Sequence, residues 1–186
     1  FGLCATPGVA TSPSPCSIEV HHGWRACRRF TEPETGCEAE NLLHVPTLPT
    51  TALSVLLANE QISGAEHIKL DDIYYSRNLE LLPDIHSVGR DYYTLLYEFD
   101  VPPLNSSISC RNERGLEVSH PSRQKLVMAG INYRATAWLN GKRLSQTAPG
   151  MFVRHSYDVT EGGRFTLLVE PPDHPGIPNG GQGGNH

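Results

Sequence analysis

Residues Leu126 to Leu144 read LVMAGINYRATAWLNGKRL, and the alternation inside that stretch decides the fold class. Leu126 and Met128 alternate with Val127 and Ala129, while Tyr133, Ala135, Ala137 and Leu139 alternate with Arg134, Thr136 and Trp138. Successive side chains of a strand point to opposite faces, so a period of two marks extended chain with one face buried. Asn140-Gly141 supplies two residues that tolerate positive φ, as a type I′ turn requires, and the chain is expected to reverse there. The stretch reads as one β-hairpin.

The same pattern recurs on both sides. A strand is expected over Tyr92 to Asp100, with Tyr93, Leu95, Tyr97 and Phe99 on one face and Thr94, Glu98 and Asp100 on the other; Pro102-Pro103 stops it. Met151, Val153, His155, Tyr157 and Val159 form another alternating face, and Phe165, Leu167 and Val169 the last one. GWRACRRF (residues 23–30) reads as an edge strand or as an irregular arm, and about six to eight strands are expected in all. Thr50-Thr51 stand ahead of Leu53, Leu56 and Leu57, an i, i+3, i+4 apolar set, so a short Thr-capped helix is expected over about residues 51–59. Residues 31–43 and 104–124 read as loops, 71–84 as an ordered surface loop, and 1–20 carry no period. Many short strands, one helix and no βαβ rhythm predict an all-β sandwich of jelly-roll type, although periodicity alone does not separate it from an immunoglobulin-like one. The expected organisation is an irregular N-terminal arm over 1–23, a sandwich over 24–170 and a Pro/Gly-rich loop over 171–186.

Composition agrees. A chain of 186 residues suffices for one core, and its 17 Gly and 15 Pro suit many turns. With a net charge of −5 and no basic run longer than Arg28-Arg29 or Lys142-Arg143, the electrostatic footprint of a nucleic-acid binder is missing. Leu53 to Ala58 is far shorter than the roughly 18 apolar residues a helical membrane span needs. The five cysteines, at 4, 16, 27, 37 and 110, contain no CxxC pair, so thiols or one or two disulfides are expected rather than zinc. Asp71-Asp72 lack further regularly spaced oxygen ligands and read as solvated carboxylates rather than a calcium site. No metal or cofactor is expected. The Asn105-Ser106-Ser107 sequon leans toward an extracellular or vacuolar/lysosomal-type compartment. A start at Phe1 and a Pro/Gly-rich end read as a fragment of a longer protein.

GINYRATAWLNGKRL, followed by GMFVRHSYDVT at 150–160 and PPDHPGIPNGGQGGNH at 171–186, resembles the N-terminal, galactose-binding-like domain of family two glycoside hydrolases. VPTLPTTALSVLLANEQI, IYYSRNLELLPD and RDYYTLLYEFDVP are similar to upstream segments of the same family, so the resemblance runs from about Val45 to the end. Within it the chain looks closest to the branch of β-mannosidases, mannosylglycoprotein endo-β-mannosidases and exo-β-glucosaminidases. Ser76 stands where that pattern usually has Gly, the EGGR turn before Phe165 is short, and Asn185 stands where relatives usually carry Asp.

What the resemblance implies is a non-catalytic domain of a retaining enzyme acting on β-mannosidic or related β-glycosidic bonds. Such hydrolysis uses two carboxyl groups about 5–5.5 Å apart; in the family both belong to a barrel domain further on, so no catalytic residue is assigned to this chain. The implied partners are immunoglobulin-like and barrel domains of the same parent chain and a glycan substrate. Gln182, Asn185 and His186 are substrate-pocket candidates on the Gly-rich tail, with an interdomain linker as the plainer reading. Trp138, read as outward-facing, could stack on a sugar, although packing against a neighbouring domain is preferred. His155 reads as a packing residue on an apolar face. The rival reading is a stand-alone carbohydrate-binding module or an inactive lectin-like relative, since fold does not fix function.

Overall fold

Ten short strands, one α-helix and two 3-10 turns (Ala39–Asn41 and Arg90–Tyr93) account for the regular structure of the described residues: β1 Arg25–Arg28, β2 Leu43–His44, α1 Ala52–Ala58, β3 Leu95–Val101, β4 Cys110–Arg111, β5 Glu117–Val118, β6 Lys125–Met128, β7 Arg134–Leu139, β8 Lys142–Gln146, β9 His155–Asp158 and β10 Gly163–Glu170. The computed structural model describes residues 20–28, 35–64, 80–83, 88–104, 110–111, 117–118, 123–146, 150 and 152–171. Readings that fall on residues 1–19, Asp71-Asp72, Ser76, the Asn105 sequon, and Gln182, Asn185 and His186 lie outside them.

Six strands form one antiparallel sheet in the order β2-β1-β3-β10-β7-β8, and β6 pairs with β9 in a second layer. The period of two then sorts side chains by face. Ala26, Leu95, Tyr97, Ala135, Ala137, Leu139, Phe165 and Leu167 turn inward and share one core with Met128, Tyr157 and Val159 of the β6–β9 side. Tyr157 and Phe165 meet across the layers at 5.3 Å between ring centroids. Trp24 stacks on Phe99 at 5.0 Å and sets its edge against Phe165. Val55 and Leu56 of α1 are fully buried in the same cluster. The Thr51 hydroxyl accepts from the Ser54 amide, which is the cap that the Thr-Thr pair predicts. These layers bear out the expected all-β sandwich with one short helix.

Several expectations are corrected. The 126–144 stretch is not one hairpin: β7 and β8 pair around Asn140-Gly141, but Leu126–Met128 belongs to β6 and pairs with β9 instead. Apolar alternation marks both halves because both face the same core, from opposite layers. Tyr92 and Tyr93 lie in a 3-10 turn, Arg90–Tyr93, and the strand begins at Leu95. The Tyr93 hydroxyl donates to the Pro83 carbonyl, which ties that turn to residues 80–83. β1 is not an edge strand, because Leu43–His44 pairs on its far side, with Leu43 falling in the stretch read as loop. The 104–124 loop contains the two-residue pair β4–β5. Val153 is 41% exposed, so the alternating face starts only at His155.

The outer edge at β2 has a particular finish. The Asn59 side chain accepts from the His44 amide at 2.8 Å and donates to the His44 carbonyl at 2.8 Å. Its amide thereby matches both backbone groups of His44, as a neighbouring strand would, while also donating to the Val55 carbonyl of α1 at 2.7 Å.

Candidate functional site on the outer face of the large sheet

The residues that alternate outward carry the charge. Arg25 of β1 lies opposite Glu98 of β3 in register, and Arg164 of β10 lies opposite Asp100. Arg25 Nε meets Glu98 Oε1 at 2.9 Å and its terminal nitrogen meets Asp100 Oδ2 at 2.7 Å. Burial works against the Arg25 charge, but its bonds to Asp100 and Glu98 outweigh that and hold its pKa above the ordinary value. Glu98 is only 2% exposed, which an ionised carboxylate tolerates only when paired. Its other oxygen, Oε2, accepts from the Cys37 amide at 3.0 Å.

Cys37 is brought there covalently by a disulfide to Cys27 on the outer face of β1, with 5.8 Å between the Cα atoms. Gly36 passes so close over the sheet that a Cβ there would stand 3.0 Å from Glu98 Oε2 and 3.1 Å from Arg164. Beside this strap is an open cleft of about 400 Å³, bounded by Thr35, Asp100, Arg164, Thr166 and the Asn140-Gly141 turn.

Asn140 does more than permit that turn. Its Oδ1 accepts from the Arg164 amide and its Nδ2 donates to the Gly162 carbonyl, both at 2.9 Å. A Cβ on Gly163 would stand 2.1 Å from Asn140 Oδ1, and one on Gly162 would stand 2.6 Å from Pro103 Cα. At this end of the sheet the start of β10 is therefore packed against the Asn140 side chain on one side and against the Pro102-Pro103 backbone after β3 on the other.

Two carboxylates beside a cleft invite comparison with an acid/base pair. Glu98 and Asp100, however, share one arginine, and Glu98 is enclosed between that arginine and the strap, while only Asp100 faces the cleft. What this arrangement does is brace β1 against β3 electrostatically.

Of the sequence-predicted site residues, only Trp138 lies among those described. It sits on the outer face, but at 4% exposure its ring is covered within the chain and offers no open stacking surface in this conformation. His155 is buried beneath the sheet, with its ring stacked near Tyr157 at 6.5 Å. The outer-face network was missed in the sequence reading. The Glu98/Asp100 period is visible there, but nothing local connects it to Arg25, about 70 residues earlier.

Residues 29–166 match the family described as glycosyl hydrolase 2 galactose-binding domain-like. The chain belongs to this family. It is 35% identical over 165 residues to a mannosylglycoprotein endo-beta-mannosidase from Lilium longiflorum, a match covering 84% of this chain and 15% of that protein. Among solved structures, it is similar to a beta-glucuronidase from an uncultured Clostridium sp., at TM-score 0.47 and 19% identity, covering 86% of this chain and 24% of that one. It is also similar to an FMN-binding beta-glucuronidase from Facaelibacterium prausnitzii L2-6, at TM-score 0.44 and 20% identity, covering 86% and 18%. This glycosyl hydrolase 2 domain thus spans a small part of each relative's length. The family match begins at Arg29, so Arg25 and Cys27 stand just ahead of it, whereas Cys37, Glu98, Asp100 and Asn140 fall inside.

Proposed function

We propose that this chain is the non-catalytic N-terminal domain of a retaining glycoside hydrolase acting on β-mannosidic or related β-glycosidic bonds. The observation that carries the reading is the 35% identity to the lily endo-beta-mannosidase, sustained over 165 residues. In this reading residues 24–170 form the sandwich, and 171–186 lead to immunoglobulin-like and barrel domains of the same parent chain. The two carboxyl groups that retaining hydrolysis needs belong to that barrel. The part played by this chain is positional: the braced sheet gives the next domain a rigid wall, and Gln182, Asn185 and His186 border the sugar pocket from the tail.

The test is an assay of the full-length protein on a β-mannoside and a β-glucosaminide, with the anomer of the first-formed product read by NMR. The expected result is cleavage of the mannoside with retention, and none by residues 1–186 alone. A full-length product that binds glycans but cleaves neither substrate would replace this reading with that of a carbohydrate-binding module.

A further inference from the structure

Three features of the outer face converge on one short segment. The Cys27–Cys37 disulfide ties it to β1, the Cys37 amide donates to buried Glu98 at 3.0 Å, and Gly36 passes within contact of both Glu98 and Arg164. Thr35, next in line, forms one wall of the open cleft. Cys27 is 2% exposed and Glu98 is 2% exposed, so the strap covers a thiol position and a carboxylate that the sheet alone would leave on its surface.

We propose that the Cys27–Cys37 disulfide is a redox clasp: it holds residues 35–37 over Glu98 and completes the cleft, and its reduction releases the strap while the sandwich stays folded. A dithiol reductant supplies the two electrons. One of its thiolates attacks a clasp sulfur, breaking the Cys27–Cys37 bond and forming a mixed disulfide. Its second sulfur then displaces the cysteine, and the reductant leaves as a cyclic disulfide. The two protons it gives up end on Cys27 and Cys37. The covalent tie suits an oxidising compartment, where such bonds persist. The sheet is expected to outlast the clasp because β3 keeps β10 and β1 as neighbours by backbone pairing over their lengths.

The test is hydrogen–deuterium exchange on the full chain, before and after a dithiol, with disulfide mapping by mass spectrometry. Mapping is expected to find Cys27 joined to Cys37. After reduction, amides in peptides over 35–38 should exchange about tenfold faster or more, while those of β3 and β10 keep their protection, as a sub-global opening requires. Three results would overturn the proposal: Cys27 joined to another cysteine or free; strap exchange unchanged although the mass shows the bond reduced; or strap and sheet losing protection together. A Cys27→Ser/Cys37→Ser variant should reproduce the reduced pattern. If that variant does not fold, exchange on the reduced native chain decides alone, by the same three results.

Discussion

Asn140 shows how much a single side chain settles here. Its φ of 51° fits the turn that the Asn-Gly pair predicts, yet its two side-chain hydrogen bonds run to the start of β10, which no local pattern announces. Asn140→Ala loses both bonds and adds left-handed strain, and is expected to cost about 3 kcal/mol in urea unfolding. Gly163→Ala is expected to be strongly destabilising, because its Cβ would overlap Asn140 Oδ1. Combined with Asn140→Gly, which removes that oxygen, it should lose less than the sum of the single changes, by roughly 1–2 kcal/mol in a double-mutant cycle. Arg25→Met leaves Glu98 enclosed without its partner and is expected to cost about 3 kcal/mol, more than Arg25→Met with Glu98→Gln. His155 supplies a pH dependence. Burial lowers its pKa below the ordinary 6.5, so the unfolded chain takes up the proton first as pH falls. Its contribution is whole above 6.5 and drains away below it, and His155→Phe should flatten the stability profile just below that pH. Asp158, held low chiefly by its bond to the Thr160 hydroxyl, acts in a separate window, below 3.8.

At the scale of elements, strand and helix types were legible wherever one face is buried and the other wet. α1 is the clearest case, with cap, apolar spacing and boundaries all within one residue of the prediction, and Thr51→Ala is expected to lower stability by about 1 kcal/mol without moving β3 or β10. A chemical-shift map of the variant would show whether the change stays in the helix. Pairing was not legible. Leu126–Met128 and Arg134–Leu139 carry the same alternation, and only the layer each joins distinguishes them, a choice made by contacts with β9 and β10 far along the chain. β2, β4 and β5 were missed for a simpler reason: two residues cannot display a period. The outer-face network fell between these cases, since its members sit on β1 and β3, which only the register brings together.

For the molecule as a whole, non-local pairing sets the folding problem. β1 joins β3 about 70 residues later, and β3 joins β10 about as far on again, so loop closure precedes most of the stabilising contacts. Refolding followed by tryptophan fluorescence is expected to take milliseconds to seconds, the range of all-β sandwiches rather than of helical bundles. Phe152, 89% exposed, is outside this core, and Phe152→Ser should leave the unfolding free energy within about 0.5 kcal/mol of the parent value. The two ends of the large sheet also bear on how the chain survives among copies of itself. An open strand edge is a template for another chain, and slow-folding β proteins expose such templates longest. At β2 the Asn59 amide already occupies the position an incoming strand would take, and at β8 Lys142 and Arg143 bring charge to the rim. Asn59 thus covers that edge as well as capping α1, and Asn59→Ala is expected to raise turbidity at high protein concentration together with a fall in melting temperature, since three hydrogen bonds go with it.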